Sequence, residues 1–109
     1  DNLFASGRAE INPSLEPLIQ SIAKALDQFN GAVLVTGHSD NVPIRSGRFS
    51  SNLELSQARA RSVGTRIAAI LSDAQRVTAE GRGSLEPIAD NSSASGRSKN
   101  RRVEVSIFY

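Results

Sequence analysis

The sequence is poor in the residues from which most catalytic and metal sites are built. It has no cysteine, and His38 is its only histidine. Without cysteine there are no disulfide bonds and no thiolate metal ligands. Cysteine usage therefore does not indicate whether the protein lies in a reducing or an oxidising compartment. One histidine is too few for a zinc site. We therefore expect no metal site and no cofactor.

The motifs of common enzymes are missing as well. A Ser-His-Asp triad would have to use His38, but Ser39 and Asp40 are its immediate neighbours and cannot all meet it in triad geometry. No G-x-S-x-G elbow is present. Residues 81–83 contain two glycines, but they lack the lysine of a P-loop and the third glycine of a dinucleotide loop. The sequence predicts a binding protein, not an enzyme.

Long hydrophobic runs are also lacking. The longest, residues 32–35 and 67–71, are far shorter than the ~20 residues that cross a bilayer, and no signal peptide opens the chain. The length of 109 residues suits one domain, residues 1–109. We expect any export signal or membrane anchor to lie outside this sequence.

Two helices are predicted from capping residues and apolar spacing. Asn12 is a good N-cap followed by proline, and apolar residues then recur at helical spacing as far as Phe29. Ser51 and Glu54 form a capping-box pattern that opens a second helix over residues 52–72.

The remaining segments predict strands and one long loop. Residues 3–7 suit a short strand or an extended arm, and residues 32–36 suit a strand buried on both faces. Residues 76–80 suit a third strand, residues 81–99 a long surface loop, and the alternating residues 103–108 a last strand. The fold class is therefore a two-layer α/β (α+β) sandwich, a mixed sheet with helices on one face.

A candidate binding site lies where the first buried strand ends. Asp40 follows this strand, and ligands favour the carboxyl ends of strands in such sheets. Arg59 lies two turns into the second helix, whose N-terminus favours anions. A carboxylate beside a guanidinium suits a zwitterion, because one binds an ammonium group and the other a carboxylate. A basic cluster precedes the last strand: Arg97, Lys99, Arg101 and Arg102.

Each feature has a simpler interpretation. Asp40 and Arg59 would form a surface ion pair worth at most about 1 kcal/mol. His38 would be a turn residue bonded to backbone. The two arginines before the last strand would pair with Glu54 or Glu104.

Nucleic-acid binding is a further interpretation of the basic cluster. Acidic Asp90 lies just upstream, and only five aromatic residues are available for stacking. We therefore expect no nucleic-acid partner.

Three motifs, in matching order and spacing, resemble the OmpA-like peptidoglycan-binding domain. They are G-H-S-D at residues 37–40, Asn52 followed by L-S-Q-A-R-A at residues 55–60, and N-R-R-V-E at residues 100–104. The resemblance covers nearly the whole chain. It implies a βαβαβ-type fold and non-covalent binding of peptidoglycan through the diaminopimelate of its stem peptide.

The resemblance also implies the site residues. Asp40 would contact the diaminopimelate amine and Arg59 its carboxylate, while Arg101 would line the same pocket. The supporting residues would be Asn52 beneath the loop, Ser39 with the hydroxyl of the family's usual threonine, and Asn41 and Val42 with backbone groups. Many relatives have an aspartate where this chain has Ala5, so one ligand contact is expected to be missing.

The insert at residues 41–51 is similar to that of flagellar MotB and type VI secretion TssL proteins, and residues 80–91 favour the TssL type. We expect a periplasmic domain that anchors an inner-membrane complex to the cell wall. Its partners would be peptidoglycan and other subunits of that complex, and a homodimer is compatible with the sequence. The alternatives are a MotB-type stator anchor, another OmpA-like lipoprotein or porin tail, and a scaffold domain without useful wall binding.

Overall fold

A computed structural model describes residues 3–5, 7–44 and 48–108. Its helices and strands are α1 (Glu16–Leu26), β1 (Ala32–His38), α2 (Asn52–Ile70), β2 (Val77–Gly83), α3 (Ala94–Asn100) and β3 (Arg102–Phe108). Short 3-10 turns precede α1 (Pro13–Leu15) and β2 (Ala74–Arg76).

The three strands form one mixed sheet. Their order is β2-β1-β3, with β1 parallel to β2 and antiparallel to β3. Val33 and Val35 of β1 are completely buried and share one core with Ile19 of α1 and Ile67 of α2. The helices thus cover one face of the sheet, which confirms the predicted fold class. On the other face of β1, Leu34 is partly buried and Thr36 and His38 are buried, so most of the strand is buried on both faces, as expected.

Helix α2 lies unusually close to the carboxyl ends of β1 and β2. Gly37 and Gly81 are register partners, and a Cβ atom on either would overlap the backbone of Ser56 or Gln57 in α2. The Ser56 hydroxyl also accepts a hydrogen bond from the Gly83 amide (2.9 Å). This close packing brings the first turns of α2 next to the loop that follows β1.

The first helix ends earlier than its apolar spacing predicts. Asn12 accepts a hydrogen bond from Ser14 N as expected, but α1 stops at Leu26, and Phe29 is half exposed. The guanidinium of Arg76 donates to the carbonyl oxygens of Leu26 (3.3 Å) and Gly31 (2.7 Å). The carbonyl group of Leu26 at the helix end thus accepts from Arg76 as well as from Phe29 N (3.1 Å).

The prediction that residues 81–99 form one long surface loop was wrong. β2 continues to Gly83, and Ala94–Asn100 forms α3, whose N-cap Ser93 accepts a hydrogen bond from Gly96 N. Small and polar residues give this helix no apolar period, so it was not predicted from the sequence.

The predicted strand or arm at residues 3–7 is an arm. Among its described residues, which exclude Ser6, the strand pairing is one isolated bridge between Phe4 and Ile11. Residues 45–47 of the 41–51 insert also lie outside them.

Candidate functional site

Asp40 lies in the loop directly after β1 and is 8% exposed. Ser39 N donates to the carbonyl oxygen of Gly83 (2.8 Å), which extends the contact between the first two strands by one residue. The Asp40 carboxylate accepts two hydrogen bonds, from Val42 N to Oδ1 (3.0 Å) and from Arg101 Nη1 to Oδ2 (2.7 Å). The carboxylate is thus held in one orientation at the carboxyl end of the central strand β1.

Asn52, the first residue of α2, holds this loop in place. Its Nδ2 donates to the carbonyl oxygens of Val42 (2.9 Å) and Asp40 (3.4 Å). The Ser39 hydroxyl donates to the same Asp40 carbonyl (2.9 Å). Asn41 is exposed. The side chains of Ser39 and Asn52 therefore act on the backbone of the loop in this structure.

The N-terminal cap of α2 differs in one detail from the predicted capping box. The Ser51 hydroxyl accepts from Glu54 N (3.1 Å), as expected. The Glu54 carboxylate, however, accepts from the amide (2.9 Å) and the hydroxyl of Ser50, not from Ser51. These hydrogen bonds lower the pKa of Glu54.

Arg59 is buried, with 6% of its surface exposed, and the N-terminal arm encloses it. Its Nε donates to the carbonyl oxygen of Arg8 (2.8 Å) and its Nη2 to that of Ala5 (3.1 Å). Its guanidinium carbon lies 4.9 Å from the centre of the Phe4 ring, a cation–π contact. These contacts could not be predicted from the sequence, because they depend on how the arm folds against α2.

The charges of Arg59, Asp40 and Arg101 influence one another. The pKa of Arg59 is lowered mainly by burial and also by the positive charge of Arg101, while Asp40 raises it. An arginine keeps its charge under such a shift. The structure therefore brings the predicted acid and the two predicted arginines together, with one negative and two positive charges.

The ion pair at this site is not the one that the simpler interpretation anticipated. Among the described contacts, the cationic partner of Asp40 is Arg101, whereas Arg59 donates to backbone carbonyl groups. In the part of the chain that the structure describes, neither Glu54 nor Glu104 forms an ion pair with Arg101. The side chain of Arg101 is 33% exposed and that of Asp40 is 11% exposed, so the pair lies at the protein surface.

The other basic residues of the cluster have different surroundings. Arg97 donates to the carbonyl oxygen of Asn91 (3.0 Å), and Lys99 is exposed. Arg102 donates to the Glu104 carboxylate (2.6 Å), as one alternative interpretation predicted, and to the Glu86 carbonyl oxygen (3.0 Å). Arg97 and Arg102 thus stabilise the local backbone by donating to its carbonyl groups.

His38 is the last residue of β1, so its prediction as a turn residue bonded to backbone was wrong. It is 2% exposed, and in the described part of the chain neither ring nitrogen has a hydrogen-bond partner. Nε2 lies 3.6 Å from Glu104 Oε1, just beyond hydrogen-bond distance. Burial and the nearby Arg102 lower the pKa of His38, against the opposing effect of Glu104.

Within residues 3–5, 7–44 and 48–108, no three His, Cys, Asp or Glu side chains are grouped as metal ligands would be. Across the same residues, every helix is too short or too polar to cross a bilayer.

Comparison with known proteins identifies the fold and its family. The model of the OmpA family matches residues 3–101. The chain belongs to the OmpA family. The predicted family resemblance is therefore confirmed over nearly the whole chain.

Within the OmpA family, the domain is similar to cell wall anchors and MotB domains. The cell wall anchor of the T6SS from Pseudomonas aeruginosa superposes with a TM-score of 0.93 at 53% identity, over 99% of this chain and 76% of that one. The periplasmic domain of Helicobacter pylori MotB superposes with a TM-score of 0.85 at 30% identity, over 93% of this chain and 66% of that one. The predicted similarity to a type VI secretion anchor is confirmed.

A curated relative is much longer than this chain. Motility protein B of Bacillus subtilis (strain 168) is 42% identical over 96% of this chain, but the match spans only 41% of its own length. These relatives are named as anchoring and motility proteins, not as enzymes.

Proposed function

We propose that this OmpA-family domain binds peptidoglycan non-covalently through the diaminopimelate of the stem peptide. The observation that carries the proposal is the group formed by Asp40, Arg59 and Arg101 where β1 ends. One carboxylate beside two guanidinium groups matches an amino-acid end, which has an ammonium group and a carboxylate.

The carboxylate of Asp40 has room for an ammonium group. Each carboxylate oxygen has two acceptor positions, and each Asp40 oxygen accepts one described hydrogen bond. The ammonium group of the ligand takes a remaining position. A hydrogen bond to a charged group contributes about 1.5–3 kcal/mol, before the cost of ordering the ligand.

The ligand carboxylate is bound by the positive charges. Arg101 is the more exposed of the two arginines and uses one of its five N–H groups on Asp40, so it donates to the carboxylate directly. Arg59, to which the family resemblance assigns this carboxylate, is buried beneath the N-terminal arm, so we propose that it supplies positive charge from below. The excess of positive charge favours a ligand with more carboxylate than ammonium groups, as stem peptides have.

The proposed setting is the periplasm, where the domain anchors an inner-membrane complex to the cell wall. The 53% identity to the Pseudomonas aeruginosa T6SS anchor supports a type VI secretion complex. A flagellar stator is the second candidate, because Motility protein B is 42% identical over nearly the whole domain. Several tethered copies would strengthen attachment through avidity.

A scaffold domain that does not bind the wall is the alternative function. The observation in its favour is Ala5, which has no carboxylate beside Arg59 and contributes only its carbonyl oxygen. Sedimentation with purified sacculi separates the two functions, because a scaffold domain would bind no more than an unrelated basic protein does.

The direct test is an NMR titration with two muropeptides that differ only at the third residue of the stem. Diaminopimelate has a second carboxylate next to its terminal amine, and lysine lacks it. We expect the diaminopimelate form to shift the signals of Asp40 and Arg101, and the lysine form to bind at least tenfold more weakly, a difference of about 1.4 kcal/mol.

Two substitutions complete this test. Asp40→Asn keeps the shape of the side chain but removes its charge, and we expect it to abolish binding. Asp73→Asn removes a charge from the 3-10 turn before β2 and should bind normally. Equal affinity of Asp40→Asn and wild type would refute the proposed site.

A further inference from the structure

Asn100 is completely buried, yet it is the polar last residue of α3. Its Oδ1 accepts hydrogen bonds from Ile88 N (2.7 Å) and Ala89 N (2.9 Å). Its Nδ2 donates to Ala89 O (3.0 Å) and Asn91 Oδ1 (2.8 Å). An asparagine side chain has two donors and two acceptor positions, so all four are used. A buried, fully bonded side chain has no group left to contact a ligand.

The rest of α3 packs against the same segment, residues 88–91. A Cβ atom on Gly96 would overlap the carbonyl group of Asp90, so the helix backbone lies directly on the segment. Arg97 also donates to the carbonyl oxygen of Asn91 (3.0 Å). A helix of 7 residues is too short to be stable alone, so these contacts must hold it.

Arg101 follows Asn100 directly and depends on this packing. Its backbone amide donates to Arg97 O (3.1 Å), so its Cα position is set by the last turn of α3. Its side chain then reaches Asp40. The residue after Arg101, Arg102, donates to the carbonyl oxygen of Glu86, just before residues 88–91. This hydrogen bond adds to the attachment between this segment and the end of α3.

We propose that Asn100 is a positioning residue of the binding site. It fixes the last turn of α3 to residues 88–91, and this attachment places the Arg101 guanidinium on Asp40. The inference rests on the proposed function, because Arg101 is taken to bind the ligand. A binding group must be held by its supporting residues to within a fraction of an ångström.

The test is a double-mutant cycle on binding of the diaminopimelate muropeptide. We expect Asn100→Ala to weaken binding about tenfold, equal to about 1.4 kcal/mol. The double variant Asn100→Ala/Arg101→Ala should bind no more weakly than Arg101→Ala alone, because Asn100 acts only through Arg101. Additive losses would contradict this.

Leu71→Ala is the control for stability. Leu71 is buried at the other end of α2, so its truncation destabilises the fold without touching the site. We expect this variant to keep the wild-type affinity at a temperature where it is fully folded. If Asn100→Ala also keeps that affinity, Asn100 is merely structural and the inference is wrong.

A second measurement needs no ligand. The Nη1–H signals of Arg101 in the NMR spectrum report its pairing with Asp40, because Nη1 is the donor, and we expect them to move towards the positions of a free arginine in Asn100→Ala. If that variant does not fold, Asn91→Ala removes one of the four hydrogen bonds and should shift the signal in the same direction. An unchanged signal would show that Asn100 does not place Arg101 on Asp40 and would overturn the inference. If the wild type fails to bind muropeptides while the signal still moves, the proposed function is wrong but Asn100 still positions Arg101.

Discussion

Arg101 Nη1 donates to Asp40 Oδ2 at 2.7 Å, across 61 residues of sequence. The pair joins the end of α3 to the end of β1, and both side chains retain some exposure. The pair fixes the position of the Arg101 guanidinium relative to the Asp40 carboxylate at the end of β1.

Arg101→Lys tests whether the shape of the guanidinium matters. Lysine keeps the positive charge but cannot bind a carboxylate through two parallel hydrogen bonds. We expect affinity for the diaminopimelate muropeptide to fall about tenfold in calorimetry, with little change in Tm. Arg82→Lys, in the exposed pair with Glu80, is the matched control and should bind normally. Full affinity in Arg101→Lys would mean that charge alone is enough.

Arg59→Lys tests how the N-terminal arm is attached. Lysine keeps the charge but loses the geometry that reaches both carbonyl oxygens, of Ala5 and of Arg8. We expect the free energy of unfolding to fall by about 1.5–3 kcal/mol, the usual contribution of a hydrogen bond to a charged group, because part-buried carbonyl oxygens lose their partner. Urea unfolding measures this loss, and faster amide exchange at Ala9 and Asn12 would locate it in the arm.

Ala5→Asp introduces the carboxylate that many OmpA-like relatives have. The carbonyl oxygen of Ala5 already accepts from Arg59, and its own side chain is exposed. A carboxylate there adds a second acceptor for the ligand ammonium group, so we expect several-fold tighter binding of the muropeptide. Ala94→Asp, at the exposed start of α3, adds the same charge elsewhere. Equal affinities of the two variants would show that position 5 does not face the ligand.

His38 makes stability depend on pH. Burial and Arg102 lower its pKa in the folded protein below the ordinary value of 6.5. As the pH falls through 6.5, the unfolded chain therefore takes up a proton before the folded protein does, and the folded state loses stability. The charged groups that face the ring are Arg102, Glu104 and Glu86.

We expect the Tm of the wild type to decrease between pH 7.5 and 5.5, above the range in which most carboxylates titrate. His38→Gln has no proton to take up and should show a flatter profile over the same range. Parallel profiles of the two proteins would show that His38 does not cause the decrease.

Gly37→Ala and Gly64→Ala are a matched pair that tests the close approach of α2 to the sheet. At Gly37 a Cβ atom would overlap the Ser56 carbonyl group, and relieving such an overlap costs about 1–3 kcal/mol. At Gly64 the nearest atoms are 3.4 Å away, and alanine is the better helix former by about 1 kcal/mol. Chemical denaturation should therefore show destabilisation at Gly37 and stabilisation at Gly64.

Much of the architecture follows from local signals in the sequence. The caps Asn12 and Ser51 mark where helical structure begins, and the alternating residues of β3 mark a strand. These signals are readable because caps and side-chain periods depend on neighbouring residues. The G-H-S-D and N-R-R-V-E motifs likewise predict Asp40 and Arg101 as site residues without any knowledge of tertiary contacts.

Other features were decided only by the tertiary structure. Helix α3 has no apolar period, and the buried hydrogen bonds of Asn100 hold it in place. The pairing of Asp40 with Arg101 and the enclosure of Arg59 by the arm both join residues more than fifty positions apart. Sequence spacing can name such partners as candidates. Packing selects among them, because only the folded chain determines which charges come within hydrogen-bond distance.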